Sequence, residues 1–398
     1  MILAAALLFA TPDLPPVTEV VDSRASFVSV QAVVKLPHLS AYEREEAQLM
    51  AETMTDQVEG YSRVEMRNLA GRAGDSVRVM LMPDELRIQM GVLPVDMKSA
   101  IGYIDQVLRN AEFPEDSIKK AIGEIPYRRK SLWSWALQPA KVDFRGVHRA
   151  DIVDLYHKIC RPENVWLAVG GSVKPGEADQ YWTDKNADWK VGRPPTPSLD
   201  RTPAAEITSL PGREATVELR GKEIVGNDPS MPTQLLAIIA LGSGKGSAMF
   251  QVLREAQGWS YRQEAVLWPT EAGFVPRLIM ASGDKTPPAE LAKSMKQQLI
   301  DAVNAWTDAD LNRARGMAEG ILTRGLEMSP LYFNPGWPIE TNLHDQTFLH
   351  AYWRMKTGLD WDAKKLVGEM TLIGLAELKE TALGILSVSI PHVIPAQG

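Results

Sequence analysis

Two side chains seven residues apart, Arg254 and Tyr261, form the arrangement in this sequence that is best suited to chemistry. A guanidinium donates hydrogen bonds in a planar fork, and a phenol donates one more. Held together, the two groups can bind a peptide carbonyl or stabilise a tetrahedral oxyanion. The alternative is purely structural, because surface arginines and half-buried tyrosines are common in proteins.

The segment around this pair, residues 241–265, predicts a glycine-bearing loop, a short helix and a strand. Ser247 can cap the helix N-terminus, and Gly258 is a natural stop after its last turn. Phe250 and Leu253 have the spacing of residues that face a core. The helix should therefore present the guanidinium, and the strand after the stop should present the phenol.

The composition is that of a globular protein with more than one domain. The chain has 398 residues, 45% hydrophobic and 23% charged, with a formal net charge of −7. Two or three domains are expected at this length. Nucleic acid is not expected as a partner because no basic patch is evident. Cys160 is the only cysteine, which excludes an internal disulfide and a thiolate metal cluster; we expect it to be buried.

The sequence contains an internal duplication. Residues 86–125 predict a strand, a loop, an amphipathic helix, a turn and a second helix, and residues 276–322 predict the same order. FPEDSI at 113–118 aligns with WTDADL at 306–311, an offset of 193 residues. Thr307 is placed to open the last helix of the second copy as part of a capping box.

The elements that precede each copy also correspond in this prediction. Residues 26–36 predict a strand, followed by a helix over 42–58. Residues 233–241 predict a strand, followed by the helix that begins at Ser247. We therefore expect an α+β fold of two duplicated domains, each a mostly antiparallel β-sheet packed against helices.

Composition also predicts the domain boundaries. Residues 192–214 are rich in proline and small residues, so they predict a linker between a first domain over 18–191 and a second over 215–398. Residues 1–17 contain a short apolar run that predicts a secretory signal or an N-terminal arm, too short to span a membrane. The expected location is the bacterial periplasm or another exported site, with the cytoplasm as the alternative.

The order of these motifs resembles the pitrilysin/insulinase family of zinc peptidases, which includes the mitochondrial processing peptidase. The family's second-half signature is a Gly/Ser loop followed by x-L-R-E-x-x-G-x-x-Y. Its counterparts here are Leu253, Arg254, Glu255, Gly258 and Tyr261. The element that closes the family's first domain has its counterparts in Pro162, Asn164, Leu167, Val169 and the glycines that follow. The resemblance covers most of residues 18–398 and implies a processing-peptidase-like fold.

The family's zinc motif is missing. Active members carry H-x-x-E-H on the first helix of the first domain, where two histidines bind zinc and the glutamate activates the bound water. The resemblance places Leu49, Glu52 and Thr53 at these positions, so neither imidazole is present. Glu52 is either the former base or, as we favour, a solvent-facing helix residue. Glu124 lies near the expected place of a further carboxylate ligand. No metal is therefore expected in this chain.

A glycine-rich loop formed by Gly242, Gly244 and Gly246 precedes the Arg254 helix. Its GSGKGS sequence lacks the spacing of a phosphate-binding loop and of a dinucleotide fingerprint. In the non-catalytic subunit of the processing peptidase, a glycine-rich loop in the corresponding region contacts substrate, and the resemblance implies that role here. The alternative is a flexible turn before a helix.

Two functions follow from the resemblance. In heterodimeric members one chain supplies H-x-x-E-H and the other supplies the Arg/Tyr pair. The first hypothesis is a non-catalytic subunit that contributes Arg254, Tyr261 and half of a peptide chamber to a homologous partner, which holds the zinc and acts on peptides or unfolded polypeptides. The alternative is a structural or binding module of the same fold with no role in proteolysis. An aromatic tract at 333–355 can line a peptide groove or pack in a core.

Overall fold

The protein forms two compact units. The computed structural model describes residues 17–128, 144–186, 188–189, 210–211, 214–283, 286–324, 343–394 and 396–397. Of these, the residues up to 128, from 144 to 189 and from 346 to 355 form the first unit, and the others form the second. No described helix combines the length and the apolar character needed to cross a membrane.

The first unit is built on a five-stranded sheet in the order β1-β5-β2-β4-β3. Only the β1–β5 pair is parallel. The strands are β1 (Val17–Val21), β2 (Val28–Lys35), β3 (Arg78–Leu81), β4 (Glu85–Val92) and β5 (Val165–Gly171). The helices are α1 (Ala41–Thr53), α2 (Arg63–Gly71), α3 (Met97–Arg109), α4 (Glu115–Arg128), α5 (Arg149–Ile159) and α6 (Glu177–Lys185), with short 3-10 turns at Pro94–Asp96, Phe144–Gly146 and Pro162–Asn164.

The second unit is built on an antiparallel sheet in which β10 pairs with β9 on one edge and with β7 and β8 on the other, while β11 pairs with β7. The strands are β7 (Ala215–Arg220), β8 (Ile224–Val225), β9 (Arg262–Pro269), β10 (Gly273–Ser282) and β11 (Ile390–Ile394), and a separate parallel pair joins β6 (Leu210–Pro211) to β12 (Ala396–Gln397). The helices are α7 (Met231–Gly242), a π-helix (Phe250–Ala256), α8 (Pro288–Ala305), α9 (Asp308–Arg324), α10 (Leu343–Thr357), α11 (Ala363–Leu372) and α12 (Leu375–Val388).

The predicted α+β fold and its duplicated core are confirmed. In the first unit β4 leads into α3 and α4, and in the second unit β10 leads into α8 and α9. The carboxylate of Asp310 accepts hydrogen bonds from both the backbone N–H and the hydroxyl of Thr307, at 2.8 and 3.0 Å, where α9 begins. The local signal for the start of α9 was therefore sufficient, because its cap is formed by residues close in sequence.

The prediction of a strand over residues 233–241 is wrong, because this segment is part of α7. Pro232 occupies the first turn, where a missing N–H costs nothing. Nearly every residue of α7 is buried, since it packs against α9, α12 and β9. A continuous apolar run has no period that separates a buried helix from a buried strand. The predicted helix over 42–58 is also too long, because α1 ends at Thr53.

Two of the predicted domain boundaries differ from the structure, and the others fall outside the described residues. Residues 346–355 of α10 pack in the first unit, although the sequence assigned them to the second domain. Within the first unit these residues include Phe348, whose ring centre lies 3.2 Å from the guanidinium carbon of the buried Arg87. Residue 17 belongs to β1 rather than to the predicted arm. Residues 1–16, most of the linker predicted over 192–214 and residues 333–342 of the aromatic tract lie outside the described residues.

Candidate functional site

The π-helix that carries Arg254 is fixed at both ends. At its start the Ser247 hydroxyl accepts a hydrogen bond of 3.3 Å from the N–H of Phe250, as expected for a cap. At its end the N–H of Gln257 donates to the carbonyl of Val252, five residues back, at 3.0 Å. Gly258 then ends the helix in the left-handed region, with φ of 64°. This last position favours glycine because an added Cβ would be strained there.

Arg254 lies close to two aromatic rings. Its guanidinium carbon is 5.0 Å from the centre of the Phe250 ring and 5.2 Å from the centre of the Tyr261 ring. Both distances are within the range at which a cation is attracted to an aromatic face, which contributes about 0.5–1 kcal/mol at exposed sites. The structure therefore brings the two predicted site residues together, on either side of the helix end.

The donors of this pair are unengaged. Among the residues that the structure describes, the Arg254 guanidinium makes no hydrogen bond or ion pair, and the Tyr261 hydroxyl makes no hydrogen bond. The pairing of Arg254 with the neighbouring Glu255, which would make the arginine an ordinary surface residue, is not observed in this part of the chain. Tyr261 is 79% exposed, and Arg254 is half-buried.

The turn that presents Tyr261 is tied to β10. The Ser260 hydroxyl donates a 2.6 Å hydrogen bond to the carbonyl of Ala281, and the Ser282 hydroxyl donates a 2.7 Å hydrogen bond to the carbonyl of Trp259. Tyr261 itself directly precedes β9, so the prediction that it lies on the strand was off by one residue. These bonds hold the backbone before Tyr261, and the pairing of Arg262 with Ala281 holds it afterwards.

Phe250 does not face the core as predicted. Leu253 and Met249 are fully buried, whereas Phe250 is half-exposed beside Arg254. An α-helical period predicted the wrong face, because the π-helix contains more residues per turn than an α-helix. No local sequence signal distinguishes the two forms.

The glycine-rich loop is closely packed. It is therefore not the flexible turn that the sequence offered as the alternative to a substrate-binding loop. A Cβ on Gly242 would lie 2.3 Å from the Cβ of Ala265, and a Cβ on Gly246 would lie 2.4 Å from the Cδ of Arg313. Gly244 has φ of 74°. Gly242 and Gly246 thus let α7, β9 and α9 approach one another, and Gly244 adopts a left-handed conformation; these structural demands account for the glycines without a ligand.

The positions of the missing zinc motif do not fit a metal ion. Leu49 is fully buried and has no lone pair, and the Thr53 hydroxyl donates to the Leu49 carbonyl at 2.7 Å. Glu124 lies 3.8 Å from the ammonium group of Lys120. Within the described ranges no group of three or more His, Cys, Asp or Glu side chains could hold a metal. Glu52 is half-buried rather than solvent-facing, because α1 packs against α4, α5 and β3.

The sequence did not predict two carboxyl groups whose pKa values are raised in the structure. Burial raises the pKa of Glu264 on β9 to about 7. Burial, together with the nearby carboxylates of Asp151 and Glu43, raises the pKa of Glu46 on α1 to about 7. Such shifts come from tertiary packing, so residue spacing contains no signal for them.

The fold and the site together define a two-unit α+β protein whose described residues include no group of side chains that could hold a metal. Residues 146–317 match the family described as "Peptidase M16 inactive domain". No curated protein matches this sequence. The matched residues are thus similar to an inactive domain of the M16 peptidases.

Solved structures share the fold along almost the entire chain. A peptidase M16 inactive domain from Pseudomonas fluorescens superposes with a TM-score of 0.74 at 14% identity, covering 98% of this chain and 97% of that chain. A protease from Helicobacter pylori has a TM-score of 0.74 at 13% identity, covering 96% and 97%. An M16-like peptidase from Alicyclobacillus acidocaldarius has a TM-score of 0.68 at 12% identity, covering 97% of each chain. At these identities the likeness establishes the fold alone.

Proposed function

We propose that this chain is the non-catalytic subunit of a two-chain zinc peptidase, and that Arg254 and Tyr261 serve the partner's zinc site. The partner is a homologous chain that carries H-x-x-E-H and zinc, and the substrates are peptides or unfolded polypeptides. The proposed location is the periplasm. The match of residues 146–317 to an inactive peptidase domain supports a role without chemistry of its own.

One observation carries the proposal: the Arg254 guanidinium lies close to two aromatic rings, while its N–H groups have no hydrogen-bond or ion-pair partner among the described residues. A structural arginine normally satisfies these donors with carboxylates or carbonyls, because unpaired donors are costly once water is removed. Donors that are held in place but unpaired suit a ligand that arrives from outside. Together, the Arg254 guanidinium and the Tyr261 phenol would hold the substrate backbone and donate hydrogen bonds to the oxyanion formed when water attacks.

Co-purification from the source cell tests this proposal. A tagged copy of the chain at its native expression level should bring down a homologue with H-x-x-E-H, with zinc in that partner and none bound by this chain. The isolated complex should cleave unfolded polypeptides, and the chain alone should not. If the partner cleaves the same substrates equally fast without this chain, the protein is a structural module of the same fold and the subunit proposal fails.

A further inference from the structure

Phe250 is a third residue of the site, and it lies on the same π-helix as Arg254. Phe250 and Arg254 are four residues apart, and the Phe250 ring lies 5.0 Å from the guanidinium carbon on that helix. Tyr261 contributes the second ring, at 5.2 Å, from the turn before β9. A cation–π contact does not use the hydrogen-bonding capacity of the guanidinium, so its N–H groups stay available to a ligand.

We propose that Phe250 is a positioning residue, which orients the Arg254 guanidinium so that its N–H edge faces the incoming peptide backbone. This inference rests on the proposed function, because the ligand of Arg254 is taken from it. Phe250 itself need not touch the substrate. It limits the conformations of a long side chain that otherwise has many rotamers, and a donor that is already oriented loses less entropy when it binds.

The exposure of Phe250 supports this role over a role in the core. The apolar residues of this helix that serve the core, Met249 and Leu253, are fully buried, whereas Phe250 is half-exposed. A half-exposed phenylalanine gains less from burial than its neighbours do. The main contribution of Phe250 is therefore the contact of its aromatic ring with Arg254, and not the burial of apolar surface.

The first test needs only the isolated full-length chain. Ring currents shift protons above an aromatic face, so the side-chain signals of Arg254 in arginine-labelled protein should be displaced upfield and should disappear in Arg254→Lys. Phe250→Leu, which removes the ring and keeps an apolar side chain, should lose part of this displacement. Phe250→Tyr should retain it, and so should the control Tyr42→Leu, at an exposed tyrosine on α1. Unchanged Arg254 signals in Phe250→Leu would overturn the proposal.

The second test uses the co-purified complex with fluorescein-labelled β-casein as an unfolded substrate. Phe250→Leu should lower kcat about five-fold with KM nearly unchanged, and Phe250→Tyr should restore it. In an Arg254→Ala background the Phe250→Leu change should have no further effect. An equal loss in that background would mean that Phe250 acts through general stability, and the proposal would be overturned. If Phe250→Leu does not fold, Phe250→Met takes its place in both tests.

The two tests separate the inference from the function on which it rests. If Arg254→Ala leaves turnover at the wild-type value, the proposed function fails, and the arginine signals alone decide whether Phe250 orients the guanidinium. If Arg254→Ala abolishes turnover but Phe250→Leu does not change it, the function stands and the positioning role is refuted.

Discussion

The guanidinium carbon of Arg254 lies 5.2 Å from the centre of the Tyr261 ring, although a helix end and a glycine turn separate the two residues. The turn is tied to β10 by the Ser260 and Ser282 hydroxyls, and the helix is capped by Ser247. The geometry of the pair therefore exists before any ligand binds. In catalysis, donors fixed in advance are worth more than donors that must reorganise.

Removal of either donor should slow the assembled peptidase. Arg254→Ala and Tyr261→Phe should each lower turnover by about 10²–10³, the usual cost of losing one oxyanion donor. Arg254→Lys should restore only part of the activity, because an ammonium group does not reproduce the planar fork. Steady-state kinetics on the co-purified complex measure the effect, while subunit assembly and zinc content should be unchanged.

The matched control is Arg67→Ala, which removes an exposed arginine on α2 in the first unit. It should leave turnover within about two-fold of wild type, as is usual for surface substitutions. Wild-type turnover in both Arg254→Ala and Tyr261→Phe would show that the pair is structural.

The close packing of the glycine loop should be visible in stability. In Gly242→Ala the new Cβ would lie 2.4 Å from the backbone N of Ala265, which cannot move without displacing β9. Overpacking of this kind costs about 1–3 kcal/mol. Urea denaturation of the purified chain should show a lower midpoint for this variant.

Gly316→Ala provides the control for that substitution. Gly316 lies on the exposed face of α9, and an added Cβ meets no atom within 4 Å. Alanine is favoured over glycine inside a helix by about 0.5–1 kcal/mol, so this variant should be more stable than wild type. A loop that tolerates Gly242→Ala without loss would not be packed as described.

Local signals predicted much of this molecule, and tertiary context determined the rest. Two local features were predicted correctly, because each depends on residues close together in sequence: the capping pair Thr307 and Asp310, and the helix stop at Gly258. The contact between Arg254 and Tyr261 followed from a resemblance that residue pattern alone did not establish. Sequence could not show that α7 is a helix, because an apolar run buried on all sides has no period.

The π-helix and the path of α10 were missed for a different reason. The π-helix at Phe250–Ala256 depends on the direction that the chain takes after it. A short stretch of sequence does not include this information. The contact of Phe348 with Arg87 joins positions far apart in the chain, so neither residue predicts the other.

Stability should depend on pH through Glu264. Its folded pKa is about 7, above the ordinary value of 4.5, because burial disfavours the charged carboxylate. The folded protein therefore holds a proton that the unfolded chain has released, and stability is lost as the pH rises from 4.5 to about 7. Glu264→Gln should remove this loss, so that the variant is more stable than wild type at pH 8 by on the order of 2 kcal/mol.

Urea denaturation at several pH values between 4 and 8 checks this expectation. Glu271→Gln, at an exposed residue between β9 and β10, is the control and should follow the wild-type curve. Glu46 contributes in the same direction, but it is present in every variant, so its effect cancels in the comparison. A Glu264→Gln curve parallel to wild type would refute the assignment.

The buried arginine of the first unit should matter more to stability than any arginine at the surface of its sheet. Arg87 is 2% exposed, lies 2.6 Å from the carboxylate of Glu85 and packs against Phe348. Arg87→Ala removes the positive charge that lies 2.6 Å from the buried Glu85 carboxylate, and breaking a buried ion pair in this way costs about 3–5 kcal/mol. Arg78→Ala on β3, whose side chain is 59% exposed and 3.7 Å from Asp75, should cost less than about 1 kcal/mol. Equal losses in the two variants, measured by urea denaturation, would contradict the expectation that burial makes the Arg87 pair the more costly one to break.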